Sequence, residues 1–178
     1  MFGDLAVEKR NGMGHVTHGI HEAALTLAYN SIVLARSVYR RIARPTEVGV
    51  RVLTYHGGSV VLVRHRGGRW PWSLPGGGMN AGEGLAEAAR REMWEEAGCD
   101  AEIQGLLGVY HSVYQGMSNV TAVFVCQTRT PPRPPRGDLE IVDARLFQRG
   151  DLPASLEPGS LRRIVEHERG AQGLYGPW

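Results

Sequence analysis

The sequence predicts an α/β protein in which a mixed sheet lies between helices. Three observations lead to this fold class. Apolar residues recur at helical spacing near both ends of the chain and in one central segment. Alternating or continuous apolar runs mark strands between these segments, and a glycine-rich loop leads into the central helix. The length of 178 residues suits one domain with an appendage and is enough to bury a core.

Residues 1–45 are predicted to form an N-terminal helical extension of a domain that spans 46–178. Apolar residues between Ile20 and Ile42 recur at spacings of three, four and seven, and Pro45 ends the pattern. Three arrangements are compatible with this stripe: packing on the domain, pairing with a second subunit in a homodimer, or lying on a membrane surface. Packing with the apolar side inward is favoured, because polar residues interrupt the stripe.

Strands are predicted on both sides of the glycine-rich loop. The first two form a hairpin, because His56-Gly57-Gly58-Ser59 is a tight-turn sequence. The run after Asn119 is apolar on successive positions, which predicts a central strand covered on both faces. The predicted strands are 48–55, 60–65, 101–114, 119–128 and 140–147. A C-terminal helix is predicted over 158–167, and the last residues are expected to form a tail.

A basic and aromatic loop comes just before the glycine-rich loop. It contains Arg64, Arg66, Arg69 and Trp72. Arginine binds oxyanions through a planar fork, and tryptophan stacks on flat rings. These four residues are therefore candidates for substrate binding, although the end of a solvated hairpin has the same composition.

The stretch from Leu74 to Cys99 organises the rest of the chain. Its first part is turn material, with one proline followed by three glycines. Its second part predicts a helix over 85–97, with Glu87 placed to cap its beginning and Gly98 placed to end it.

Three glutamates share one face of this helix near its C-terminal end. Glu92, Glu95 and Glu96 are spaced i, i+3 and i+4, so their charges repel one another, and the helix dipole disfavours anions at this end. A hard divalent cation would offset the repulsion, because carboxylates and a loop carbonyl form an oxygen-rich site for Mg²⁺ or Mn²⁺. A solvated acidic helix end is the alternative.

A motif with many fixed positions decides between these readings. It is Gly77-x5-Glu83-x7-Arg91-Glu92-Met93-x-Glu95-Glu96-x-Gly98-Cys99, and it resembles the Nudix box at every defined position. The preceding Trp72 to Gly77 segment is similar to the usual lead-in of Nudix hydrolases. The resemblance implies a Nudix-type α/β/α sandwich with a mixed sheet over about 46–169, and it leaves the N-terminal helix outside.

The resemblance also implies a metal site. It assigns Glu92 and Glu96 as the main ligands of Mg²⁺ (or Mn²⁺) and Glu95 as a further ligand or as a catalytic base. The carbonyl oxygen of Gly76 or Gly77 is another ligand candidate.

Two further residues of the box are assigned supporting catalytic roles by the same resemblance. Arg91 would pair with a box carboxylate and hold the cluster in place, and Glu83 would pair with Arg91 or bind a second metal through water. The general base remains open between Glu95, Asp138 and Glu140.

The implied activity is metal-dependent hydrolysis of a diphosphate bond in a nucleoside diphosphate linked to another group. Nucleoside triphosphates, dinucleoside polyphosphates and nucleotide sugars remain open as substrates. One alternative is a non-catalytic Nudix-fold regulator that binds a nucleotide, although such domains usually lose box glutamates. An isoprenoid diphosphate isomerase is less favoured, because that chemistry needs a cysteine in the pocket and both cysteines have apolar surroundings.

Composition sets limits on location and partners. A net charge of +2 gives no reason to expect nucleic-acid binding, and no apolar run has transmembrane length. The two cysteines suit reduced thiols in a cytoplasmic protein, and the first residues lack the order of a signal peptide. The expected partner is a small nucleotide, with a homodimer as one possible assembly.

Overall fold

The computed structural model of the chain describes residues 23–39, 46–114 and 117–178. Two expectations fall wholly or partly outside these ranges. They are the two ends of the N-terminal helix and the boundary between extension and domain at 45/46.

The described residues form seven strands and three α-helices. Helix α1 covers 23–39. The strands are β1 (Glu47–His56), β2 (Ser59–His65), β3 (Trp72–Ser73), β4 (Glu102–Tyr114), β5 (Met117–Gln127), β6 (Ile141–Phe147) and β7 (Leu174–Pro177). The other helices are α2 (Leu85–Ala97) and α3 (Pro158–Glu168), and a short 3-10 turn covers Arg149–Asp151.

The strands form one mixed sheet in the order β3-β2-β1-β5-β4-β7, with β6 also paired to β2. The centre of the sheet is the parallel pair of β1 and β5, in register from Glu47 opposite Asn119 to Tyr55 opposite Gln127. Strands β4 and β5 are antiparallel neighbours, and β7 lies parallel to β4 at the edge. Strand β5 is therefore central, as its continuous apolar run predicts.

Two apolar clusters cover the two faces of the sheet. One includes Val50, Val52 and Val61 of the sheet together with Ala89 and Met93 of α2. The other joins sheet residues such as Leu53 and Leu62 to Ile164 of α3. Helices thus lie on both sides of a mixed sheet, and the predicted α/β/α class is confirmed.

Helix α2 begins and ends where its sequence predicts. The backbone N–H of Gly84 donates to the Glu87 carboxylate at 2.8 Å, which satisfies the start of the helix. Gly98 has a φ of 62° in the left-handed region, and its N–H donates to the carbonyl of Trp94. Glycine is favoured at such a position because it has no Cβ to clash.

Helix α1 exposes the apolar side that was expected to be buried. Its apolar stripe does not face the domain: Leu27, Leu34 and Val38 are 69 %, 66 % and 52 % exposed. The inner face instead carries Tyr29 and Arg36. In the described part of this helix the apolar side therefore does not pack on the domain, and its packing on a partner subunit, the other arrangement expected, stays a prediction.

Two short strands at the ends of the sheet were not expected. Strand β3 lies within the predicted substrate loop and pairs with β2 through Trp72 and Ser73. Strand β7 lies within the expected tail, and the final residue, Trp178, donates its backbone N–H to His111 at 2.8 Å. Among the helices in the described ranges, none combines the length and apolar character needed to span a membrane.

Candidate active site

A cleft of about 1140 Å³ opens between the glycine-rich loop, the C-terminal half of α2 and the inner face of α1. Glu92, Glu95 and Glu96 line one side of it, and Gly76, Gly77 and Gly78 line the adjoining wall. The predicted metal residues are therefore together in one cavity.

The glycine-rich loop is held along the edge of β1. Val52 donates its N–H to the Pro75 carbonyl at 2.8 Å, and Val50 donates to the Gly77 carbonyl at 2.9 Å. Gly76 has a φ of 141°, and a Cβ there would lie 2.8 Å from the Cα of Arg51. Only glycine lets this loop lie so close to the strand.

The carboxylates of Glu92 and Glu96 are buried beside this loop. They are 7 % and 9 % exposed, and the backbone N–H of Gly76 donates to Glu96 Oε2 at 2.8 Å. Burial raises the pKa of Glu96 to about 7 and also raises that of Glu92. Because burial disfavours the charged form of both carboxylates, a cation bound beside them would stabilise that form.

Arg91 connects the glutamates of the cluster. Its Nε donates to Glu83 Oε1 at 2.8 Å, and its Nη1 donates to Glu92 Oε1 at 2.6 Å and to Glu95 Oε2 at 3.0 Å. Its Nη2 reaches the Gly78 carbonyl at 2.9 Å. The hydrogen bond with Arg91 is the main reason why the pKa of Glu83 lies below its ordinary value.

The donor set fits a hard divalent cation, although the side chains do not converge on one point. Within the described ranges no three His, Cys, Asp or Glu side chains stand in a metal-holding arrangement. The reason is that Arg91 draws Glu92 and Glu95 toward itself, while the Gly76 N–H holds Glu96. The Glu92 carboxylate lies so close to Gly77 that a Cβ there would be 2.8 Å from its Oε1. Carboxylate and backbone oxygens together still match the ligand chemistry of Mg²⁺.

Arg51 is a cleft residue that the sequence analysis missed. Its Nη1 donates to the carbonyls of Leu74 at 3.0 Å and Gly76 at 2.7 Å. It therefore holds the same carbonyl that was predicted as a metal ligand. Its residue type in an alternating strand gives no sign of this role, because arginine at such a position normally faces solvent.

Of the candidate bases beyond the box, Glu140 and Asp138 have different environments. Asp138 Oδ1 accepts the backbone N–H groups of Glu140 and Ile141, both at 2.7 Å, so it shapes the turn before β6. Glu140 Oε1 lies 3.4 Å from His65 Nδ1, and His65 Nε2 lies 3.0 Å from Ser73 Oγ. The hydrogen bond from His65 is the main cause that lowers the pKa of Glu140.

The family model described as "NUDIX domain" matches residues 43–167, which is more than half of the chain. The chain belongs to the NUDIX family. The predicted family is confirmed, and the comparisons support the predicted class of enzyme, a Nudix pyrophosphohydrolase.

Among sequence relatives, the Nudix chain is 35 % identical over 106 residues to the human 8-oxo-dGDP phosphatase NUDT18. This match covers 55 % of the chain and 30 % of that protein. It is also 34 % identical over 76 residues to a MutT-like protein of Streptomyces ambofaciens, covering 43 % of the chain and 47 % of that protein. The chain thus spans less than half the length of these two relatives.

Solved structures of the family share its fold. A Nudix hydrolase from Nitrosomonas europaea superposes with a TM-score of 0.63 at 25 % identity, over 75 % of this chain and 78 % of that one. A MutT Nudix hydrolase from Burkholderia pseudomallei gives 0.60 at 25 % identity, over 68 % and 97 %. The predicted Nudix-type architecture is confirmed.

The arginines of the basic loop of this Nudix chain do not line the cleft. Arg66 donates to the carbonyls of Leu139 and Asp138, and so fastens the loop that carries Glu140. The other two arginines, Arg64 and Arg69, lie beside Asp143 at 4.0 Å and over the ring of Trp70 at 5.2 Å. None of the three arginines lines the cleft.

The side chain of Trp72 is buried and is not available to stack on a substrate. It is 8 % exposed, its ring meets Phe147 edge-on at 4.9 Å, and the Arg145 guanidinium lies 6.0 Å from its ring centre. The substrate-binding assignment of Trp72 is therefore corrected: the side chain belongs to the core. Trp72 lies just before the glycine-rich loop in sequence, but strand β3 directs its side chain to the face of the sheet that packs on α3.

Proposed function

We propose that this chain is a metal-dependent hydrolase that cleaves a diphosphate bond in a nucleoside diphosphate linked to another group. The observation that carries the proposal is the pair of buried carboxylates, Glu92 and Glu96, against the Gly76–Gly77 backbone inside a large cleft. Buried acids with raised pKa values in a cleft are typical of functional sites rather than of stabilising surface charge.

In this proposal Glu92, Glu96 and the Gly76 carbonyl hold Mg²⁺ or Mn²⁺, with Glu95 as a further ligand. The metal would neutralise charge on the diphosphate and lower the pKa of the attacking water. Binding requires Glu92 and Glu95 to turn away from Arg91, which can keep its bonds to Glu83.

Arg91 and Glu83 act as positioning residues in the proposal. Their hydrogen bonds at 2.8 and 3.0 Å fix the guanidinium beside the cluster, and the Asn80 N–H holds the other side of Glu83 at 2.9 Å. A fixed guanidinium keeps Glu92 and Glu95 beside each other before the metal arrives.

The proton of the attacking water requires an acceptor, and two carboxylates compete for that role. Glu95 is 55 % exposed at the mouth of the cluster, and Glu140 lines the same cleft beside His65. We favour Glu140, because Glu95 serves as a further metal ligand in this proposal and Asp138 accepts two backbone N–H groups.

For the substrate we propose a nucleoside di- or triphosphate, because the human relative is named for 8-oxo-dGDP. A cytoplasmic location is also proposed, since both cysteines are free and buried. A homodimer remains a proposal for the assembly.

The test measures nucleoside monophosphate formation by chromatography on a panel of 8-oxo-dGDP, dGTP, a dinucleoside polyphosphate and a nucleotide sugar, because cleavage of the diphosphate bond gives this product from each of them. Wild type should need Mg²⁺ or Mn²⁺, and Glu96→Gln should lose at least about a hundredfold in kcat. Glu102→Gln, at an exposed position of β4, is the matched control and should keep full activity.

The non-catalytic regulator makes the opposite prediction in this assay. It binds a nucleotide with metal but forms no nucleoside monophosphate from any member of the panel. Activity that survives excess chelator would instead contradict the metal mechanism.

A further inference from the structure

Helix α1 lies against the cleft, although all of its described range, 23–39, precedes the region matched by the family model. Tyr29, Val33, Arg36 and Ser37 line the cavity together with the glycine-rich loop and the α2 glutamates. Their spacing of i, i+4, i+7 and i+8 places them on one side of the helix. One side of α1 therefore forms a wall of the candidate active site.

The composition of this wall differs from that of a helix held by apolar packing. Three of its four residues are polar or aromatic with a polar group, whereas Leu27, Leu34 and Tyr39 are 69 %, 66 % and 65 % exposed. A surface helix normally turns its apolar stripe to the core. Here the side toward the cleft is the side that can make hydrogen bonds.

Tyr29 fixes the helix to the loop between β2 and β3. Its ring carbon Cε1 would lie 3.3 Å from a Cβ at Gly67, so the ring rests directly on that glycine. Burial is the main cause that raises the pKa of the Tyr29 hydroxyl, and the charge of Glu140 adds to it. The wall is thus anchored close to the candidate base.

Arg36 is the cleft arginine available to a ligand. Among the described residues the cavity has one other arginine, Arg51, which already donates to two carbonyls. Arg36 is exposed and has no hydrogen bond or ion pair with another described residue. The other charged residues that line the cavity within the described ranges are acidic or are His65.

We propose that α1 is part of the substrate site and that the Arg36 guanidinium binds a phosphate oxygen of the substrate. The inference rests on the proposed function, since it needs a phosphorylated ligand in the cleft. A guanidinium suits this task because its planar fork matches phosphate geometry and it remains charged at every working pH. An acidic cavity needs such a cation to admit a polyphosphate.

The first experiment compares steady-state kinetics of full-length wild type and Arg36→Gln on the best substrate of the panel. We expect KM to rise about tenfold, the loss of one charged hydrogen bond, while kcat stays within about twofold. Arg36→Lys should fall between the two, because it keeps the charge without the fork. Arg162→Gln, at an exposed position of α3, should match wild type.

The second experiment separates this inference from the proposed function. Binding of magnesium tripolyphosphate is measured by titration calorimetry at two salt concentrations, which requires no turnover and no particular nucleoside. Wild type should bind, and Arg36→Gln should bind more weakly with a smaller salt dependence. If Glu96→Gln stays fully active while Arg36→Gln loses binding, the metal mechanism fails and the phosphate contact stands.

Three results would overturn the inference. They are a wild type that does not bind tripolyphosphate, an Arg36→Gln variant with unchanged KM and unchanged binding, or an equal loss in Arg162→Gln. Melting curves of each variant accompany the measurements. Because Arg36 is exposed and makes no hydrogen bond to a described residue, its replacement should not alter stability.

Discussion

Among single residues, Arg91 is the one that connects the glutamates of the site by hydrogen bonds. It donates to Glu83, Glu92, Glu95 and the Gly78 carbonyl from one guanidinium. Lysine could not repeat this pattern, because it lacks the planar fork with donors in fixed directions. The residue that neutralises the glutamates in the metal-free protein is therefore also the one that sets their positions.

Glu140 and His65 give a prediction about pH. The charged and titratable groups that act on Glu140 are His65, Arg36, Arg51 and Tyr29, and the hydrogen bond from His65 is the main cause that lowers its pKa. A base works only when deprotonated, so the acid limb of the kcat profile lies at its pKa. His65→Ala should raise the pKa of Glu140 and move that limb to higher pH.

The measurement is kcat against pH for wild type, His65→Ala and Ser73→Ala. Ser73→Ala removes the contact at the other ring nitrogen and should produce a smaller shift in the same direction. Glu140→Gln should abolish the limb and lower kcat at least about a hundredfold. A profile that His65→Ala leaves unchanged would assign the base to Glu95 instead.

The two cysteines should be unreactive in the folded protein. Burial raises the pKa of Cys99 to about 11 and that of Cys126 to about 12. The thiolate is the reactive form, so almost none is present at pH 8. Alkylation by iodoacetamide at pH 8 should modify neither thiol in the native protein and both after unfolding in denaturant. Rapid modification of native Cys99 would contradict the described packing.

The sequence predicts some residues of the site and not others for physical reasons. Glu92 and Glu96 are predictable, because helical spacing alone places them on one face. Arg51 and Arg36 are not, since an arginine in a strand or near a helix end has the same local pattern whether it faces a cleft or solvent. Only the packing of α1 and the glycine-rich loop on the domain brings them to the cavity.

At the level of elements, the glycine-rich loop is fixed by its fit to β1. We predict that Gly76→Ala destabilises the protein by about 3 kcal/mol or more. The added Cβ would overlap the carbonyl oxygen of Val50 and lie 2.8 Å from the Cα of Arg51, and the φ of 141° disfavours any side chain. These neighbours are backbone atoms of a central strand and cannot move aside cheaply.

Gly78→Ala is the matched control, because nothing lies within 4 Å of a Cβ there. Denaturant unfolding followed by circular dichroism compares both variants with wild type. Gly78→Ala should lie within about 0.5 kcal/mol of the parent. Equal stabilities for both variants would mean that the loop does not lie on β1 as described.

Elements differ in how far their sequence determines them. Helix α2 is predicted to the residue, because its cap at Glu87 and its end at Gly98 are local signals. Strand β7 is not, since Leu174 to Pro177 contains glycine and proline and becomes a strand only by pairing with β4. The outward apolar stripe of α1 also escapes prediction, because periodicity fixes which residues share a face but not which face is buried.

At the level of the whole molecule, the site lies where separate parts of the chain meet. Strand β1 and the glycine-rich loop supply the backbone wall, α2 supplies the glutamates, the turn before β6 supplies Glu140, and α1 closes the side. Two apolar clusters on opposite faces of the sheet hold these parts together, except α1, which contributes no described residue to either cluster. The stability of the metal-free protein should therefore depend on the core rather than on the charges of the cleft.

The separation between the apolar core and the charged cleft leads to a prediction about how metal binding affects stability. Mg²⁺ should bind the folded chain preferentially, because the unfolded chain cannot assemble Glu92, Glu96 and the Gly76 carbonyl. A hundredfold excess over Kd adds about 2.7 kcal/mol to the free energy of unfolding. For a chain of this size that corresponds to a rise in Tm of about 5 to 10 °C.

The double variant Glu92→Gln with Glu96→Gln tests whether the glutamates serve the metal or the fold. Burial disfavours the charged form of both side chains, and a glutamine at 96 can still accept from the Gly76 N–H. The variant should lose the ion pair between Arg91 and Glu92 but gain from removal of buried charge, so its metal-free Tm should equal or exceed that of wild type. Melting curves with Mg²⁺ and with EDTA should then coincide for the variant and differ for wild type. A metal-free variant that melts far below metal-free wild type would show that the two glutamates stabilise the fold, and would remove them as ligand candidates.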